Sequence, residues 1–144
     1  MGDDVDEEAW LCDRRKQVAE YLANEHVEHG RIALEAAWYV APYVSLWQIE
    51  NLKTPRRNGW WVICGDHPTD YISASGLDEP REVLRAIGDR WLDVSTFMRH
   101  GIPHPSMTVG SMENAKELGE LLHSRAKLLI QWADDDCIWG EDAS

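Results

Sequence analysis

The stretch Gly59-Trp60-Trp61-Val62-Ile63-Cys64-Gly65 constrains the fold of this chain more than any other. Five consecutive aromatic, β-branched or similar residues are too few for a helix and too apolar for a loop, and their shapes fit a pleated, half-buried surface. Alternation sends Trp60, Val62 and Cys64 to one face and Trp61 and Ile63 to the other. Both faces are apolar, so the strand belongs inside a sheet with a neighbour on each side. Gly65-Asp66-His67-Pro68-Thr69 then makes a polar reversal, because glycine accepts unusual dihedrals, proline lacks a ladder donor and Asp and Thr side chains cap free amides. A strand over residues 71–74 follows.

The flanking chain supplies the other elements. Residues 7–26 read as a helix with Leu11, Val18 and Leu22 on one stripe, Trp10 and Tyr21 beside it, acids at its start and Gly30 as a stop. Residues 31–37 fit a short helical turn. Pro42 splits the next β-forming run into an irregular lead-in and a strand over residues 43–49, with Tyr43, Ser45, Trp47 and Ile49 on one face. The polar loop over residues 53–59, with Pro55 and the Asn58-Gly59 pair, returns the chain antiparallel into Trp60. After Gly76, Asp78 and Pro80 open a helix in which Val83, Leu84, Ile87, Trp91, Val94 and Met98 recur at helical spacing up to Gly101. Residues 100–110 read as a loop. Ser111 caps a last helix, with Leu118, Leu121, Leu122, Leu129 and Trp132 on its apolar face, which fades in Asp134-Asp135-Asp136 because acids oppose the dipole there. The expectation is an α+β domain over residues 1–144: an N-terminal helix, a three-stranded antiparallel meander and two C-terminal helices packed on the sheet, with residues 1–8 and 134–144 as acidic ends.

The net charge of −12 speaks against a nucleic-acid binder, which carries a basic patch. The two acidic ends hold ten of the 26 Asp and Glu, and the remaining acids nearly balance the 14 Lys and Arg. Three cysteines without CxxC spacing indicate neither a disulfide framework nor a zinc ribbon. With no basic leader and no apolar run of membrane length, the reading is cytoplasmic, without a membrane partner.

Chemistry is sparse. Cys64 beside His67 suggests an activated thiol, but strand periodicity aims Cys64 with Trp60 and Val62 into a core, as a structural cysteine. Asp66, His67 and Asp70 form the alternative catalytic group, a small hydrolase or metal-assisted enzyme that His100 and His104 would join from a loop; as turn-capping carboxylates the two aspartates need no such role. His26 with His29 and His100 with His104 have the spacing of metal half-sites without the supporting ligands of a zinc motif, and His123 reads as a helix-surface residue. No GxGxxG, phosphate-binding P-loop or GxSxG occurs, so no cofactor is expected. Arg56 and Arg57 at a hairpin tip beside Trp60 and Trp61, and Trp139 in an acidic tail, have the composition of protein-contact hot spots.

In order, Ala37-Trp38-Tyr39-Val40-Ala41-Pro42-Tyr43, then Gly59-Trp60-Trp61-Val62-Ile63-Cys64-Gly65-Asp66 with Pro68-Thr69-Asp70-Tyr71-Ile72-Ser73, and later Ser124-Arg125-Ala126-Lys127-Leu128-Leu129 with Trp132-Ala133-Asp134-Asp135 resemble a family of small uncharacterised bacterial proteins that carries a domain-of-unknown-function label. The resemblance runs from about residue 10 to residue 139 and implies no catalytic residues. Size, acidity and element order are also similar to immunity proteins that neutralise bacterial toxins, an analogy of fold alone. The leading expectation is a non-enzymatic protein-binding module acting on another protein, such as a basic toxin-like one. A homodimer through exposed indoles is a further reading.

Overall fold

The computed structural model describes residues 6–54, 57–65, 67–100 and 115–139. The chain divides into two units, Met1–Pro80 and Arg81–Ser144, each with its own dense internal contacts. The class is α+β, as expected, but the sheet has four strands instead of three.

The first unit begins with helix α1, Glu7–Asn24. Asp6 caps it, its side chain accepting from the Ala9 amide at 3.2 Å, and Glu7 and Glu8 sit in the first turn where the dipole favours them. The helix stops before Gly30, in a motif the sequence does not advertise. The Val27 amide donates to the Leu22 carbonyl at 3.0 Å and the His26 amide to the Ala23 carbonyl at 3.1 Å, while His26 takes a left-handed φ of 58°. This is a Schellman ending with histidine where glycine is usual, and Val27 and Leu22 supply its apolar contact within one cluster.

Strands β1 (Trp38–Val40), β2 (Val44–Glu50), β3 (Asn58–Gly65) and β4 (His67–Ser73) form an antiparallel meander in chain order. The added strand is the lead-in before Pro42. A turn closed by the Tyr43 amide on the Val40 carbonyl at 2.7 Å lets it double back on β2. Tyr43 lies in that turn, exposed, and not on the strand. Residues 31–37 form no helical turn. Their amides serve β2: Ala33 donates to the Gln48 carbonyl at 3.0 Å, Ala37 to the Leu46 carbonyl at 2.8 Å, and Ile32 bridges to Ile49. The fourth strand starts at His67, earlier than expected. Pro68 falls on β4, an edge strand of this sheet, the kind of strand in which proline is found. Gly65, at φ 150°, makes the sharp entry; a Cβ there would stand 2.3 Å from the Tyr43 carbonyl oxygen.

The alternation read for β3 holds. Val62 and Cys64 join Val18, Leu22, Ile32, Trp47 and Ile49 in one buried cluster under α1, with Leu11, Tyr21, Trp60 and Tyr71 packed against it. Fully burying Val18 and Leu22 contributes about 1.5–3 kcal/mol each, which outweighs any surface pair on this helix. Tyr71 meets Tyr21 and Trp60 edge-on, at centroid distances of 5.9 and 5.5 Å. On the other face of β3, Trp61 and Ile63 are buried as well.

The second unit is a pair of twenty-residue helices, α2 (Pro80–Arg99) and α3 (Ala115–Asp134), followed by the single turn α4 (Asp136–Trp139). All six apolar positions read for α2 are buried. On α3 the buried stripe is Gly119, Leu122, Ala126, Leu129 and Ala133, spaced three and four apart, so Leu121 falls off it and is 41% exposed. His123 is half-buried instead of on the surface, with its Nδ1 shielded and unpaired. Gly88 lies against Ala126 and Ile130, and Gly119 against Met98 and Arg99, so the helices run antiparallel with backbones close at both glycines. The expected Ser111 cap lies outside the described residues. The acidic end does stop α3 at Asp134, yet its charge is answered across the pair: Arg85 bonds Asp134 at 2.6 Å, Arg81 pairs with Asp136, and Arg81 Nε donates to the Ala133 carbonyl at 2.6 Å. Among the described residues no helix is long and apolar enough to cross a membrane.

Replacing His26 with glycine should raise stability by about 0.5–1 kcal/mol in urea unfolding, because a left-handed residue with a Cβ is strained. Gly119→Ala should do the opposite. Its Cβ would stand 2.9 Å from the Arg99 backbone nitrogen and from Met98 Cβ. Overpacking of about 1–3 kcal/mol should exceed the gain of about 1 kcal/mol in helix propensity, leaving a net loss in the same unfolding measurement.

Candidate functional site

Positions 8, 11, 12 and 15 recur at i, i+3, i+4 and i+7, so Glu8, Leu11, Cys12 and Arg15 share one flank of α1. Opposite this flank run Leu34, Glu35 and Ala36, followed by Tyr39 of β1. With Trp47 of β2 these residues line a groove of about 550 Å³, the size of a ligand site. Arg15 joins its walls. Nε donates to the Ala33 carbonyl at 2.9 Å and Nη2 to the Ile32 carbonyl at 2.8 Å. The far wall therefore hangs between β2, which takes its amides, and α1, which supplies donors for its carbonyls.

Two small networks fix the rest. Trp47, almost fully buried, donates from Nε1 to Ser45 Oγ at 2.9 Å, and Ser45 donates on to the Cys64 carbonyl at 3.0 Å. At the N-terminal end of α1, Tyr39 donates its hydroxyl to Glu7 Oε2 at 2.9 Å, its ring lies 6.3 Å from Trp10, and the Arg14 guanidinium stands 5.9 Å above the Trp10 ring. The hydrogen bond to the Glu7 carboxylate, and then its charge, push the Tyr39 phenol above its ordinary value. Leu34 is left 78% exposed, the most exposed of the large apolar side chains described.

The residues singled out from the sequence are placed as follows. Trp61 is a correction: it is fully buried and its Nε1 donates to the Leu77 carbonyl at 2.9 Å, so it offers no contact surface. Trp60 is half-buried against the core. Trp139 folds back, donating from Nε1 to the Trp132 carbonyl at 2.9 Å in the last turn of α3. Arg57 is exposed and lines a second, polar hollow of about 500 Å³ with Gln48, Asn51, Asn58, Ser73, Ser75 and Asp78 among others. Arg56, Asp66, His104 and the side chain of His67 lie outside the described residues. Asp70 is only 5% exposed and one of its oxygens accepts from the Tyr71 amide at 2.8 Å, the backbone-capping role open to a turn aspartate. His100 Nδ1 lies 2.7 Å from the Thr96 carbonyl and His29 Nδ1 lies 2.6 Å from the Gly30 carbonyl, so both nitrogens carry their proton and face the backbone. Among the described residues no group of three His, Cys, Asp or Glu side chains could hold a metal.

The groove itself escaped the sequence reading. Its exposed Leu34 falls in the stretch read as a short helical turn, so its place on a groove wall left no trace there. Cys12 is exposed in the groove, and no histidine lines its walls. Cys64 is the buried cysteine read from the strand. Burial pushes its thiol up, against the partial opposition of Ser45, Arg14 and Trp47, so it stays protonated at neutral pH. A thiol reagent should label Cys12 and Cys137 in the native protein and Cys64 only after denaturation. Cys64 supports stability fully below the ordinary thiol range, where both folded and unfolded chains hold the proton. That support is lost as pH rises from there through the raised folded value. Urea unfolding along an alkaline series should show this loss, and Cys64→Ala, compared with its own stability at neutral pH, should show less of it.

No curated protein and no solved structure gave a match. A family model described as Domain of unknown function (DUF4826) matches residues 4–139, and so takes in every element described above. The chain belongs to that family of domains of unknown function.

Proposed function

We propose that this chain is a non-enzymatic protein-binding module of the bacterial cytoplasm, an immunity-like inhibitor or regulatory partner that holds another protein by surface complementarity. One observation carries the reading: the groove between α1 and residues 33–39 exposes Leu34 beside Leu11, Ala36 and Tyr39 over a fixed indole floor. An apolar wall left open to water is the feature that a partner's side chain covers, and aromatic residues within such a patch are typical of contact hot spots. The rigidity of the floor supports it further, since a surface already ordered loses little entropy on docking. Arg57, in its polar hollow, is a secondary contact in this proposal.

The test is affinity purification of the tagged protein from its source cells, in wild-type form and as Leu34→Asp. Wild type should retain a partner at near-equal amounts, and Leu34→Asp should retain at least about tenfold less, because a buried charge replaces an apolar anchor. At an exposed position this change should shift stability by no more than about 0.5 kcal/mol, which thermal unfolding would verify. Recovery of the wild-type protein alone, under conditions that preserve weak complexes, would count against the proposal.

A further inference from the structure

Resting on that reading, we infer that the groove takes a segment of the partner chain in which an apolar side chain is flanked by lysine or arginine. The occupant is a protein segment and not a small molecule, because small ligands have most of their surface enclosed. Here Glu8, Cys12, Leu34 and Glu35 are all exposed, so an occupant would keep one side in water. The apolar part fits between Leu11, Leu34 and Ala36, above Trp47.

Charge selects what flanks it. Glu8 stands on the helical wall and Glu35 on the opposite one, both exposed. Glu7 stands beside Glu8 in the first turn of α1, which Asp6 caps. The one cation among the lining residues, Arg15, has committed two of its donors to the chain's own carbonyls. A lysine or arginine on either side of the apolar anchor therefore meets a carboxylate, and an acidic flank meets repulsion. The same charge argues against a second copy here, since two chains of net charge −12 would bring acidic rims together.

The experiment is selection of short random peptides displayed on phage against immobilised full-length protein, as wild type, as Leu34→Asp, and as the double variant Glu8→Lys with Glu35→Lys. Selected peptides are then made and their binding is measured by fluorescence anisotropy at low and high salt. Wild type should enrich peptides with an apolar residue next to Lys or Arg. Their binding should vanish with Leu34→Asp, weaken with salt and fall about tenfold or more in the double variant. Circular dichroism of each variant should match wild type, and should a variant fail to fold, Glu8→Gln with Glu35→Gln gives the same comparison with a smaller loss. Peptides that need Leu34 but carry no basic residue, or that bind the double variant equally, would overturn the inference and leave the groove reading standing. If no enriched peptide depends on Leu34, both fall.

Discussion

Arg15 donates from Nε and Nη2 to the carbonyls of Ala33 and Ile32, and that fork decides how residues 31–37 run. An edge segment in a sheet satisfies only one side of its backbone. Here β2 takes amides from Ala33 and Ala37, and the outward carbonyls would face water or another chain without the guanidinium. A planar fork with five donors suits two adjacent carbonyls in a way that a lysine ammonium does not. The consequence reaches the surface. With the segment tied to α1, Leu34 is turned out, Ala36 is turned in, and the space between helix and edge strand becomes a groove with a fixed floor.

The second unit solves a different problem with the same economy of parts. Helix α2 carries Arg81 and Arg85 near its N-terminus and α3 ends in acids, each the wrong sign for its own dipole. Antiparallel pairing turns two faults into one complementary end, where Arg81 and Arg85 reach the Ala133 carbonyl and the carboxylates of Asp136 and Asp134. The exposed Arg85–Asp134 pair contributes no more than about 1 kcal/mol. Close packing at Gly88 and Gly119, and the buried Leu122, Leu129 and Trp91, hold the helices together; the ion pairs fix which end meets which.

Much of this was legible from periodicity. The apolar run at residues 60–64 gave a central strand with both faces buried, and the spacing from Val83 to Met98 gave a helix whose six apolar positions are all buried. What escaped depended on long-range partners. Residues 31–37 have helix-forming alanines and leucine, yet hydrogen bonds to β2 and Arg15 override that local preference. Trp61 has the composition of a contact residue, and only the fold shows its indole donor used on the Leu77 carbonyl. The groove draws on α1, the segment before β1, and β2, so no single window of sequence holds its pattern.

The groove between α1 and residues 33–39, where Leu34 stands exposed, is what supports the proposed contact module. The most direct measurement is amide hydrogen exchange of the full chain, alone and with the protein that co-purifies with it. Docking in the groove should slow exchange in residues 7–15 and 33–39 and leave helices α2 and α3 unchanged. Slowing on α2 and α3, with residues 7–15 and 33–39 unaffected, would contradict the account.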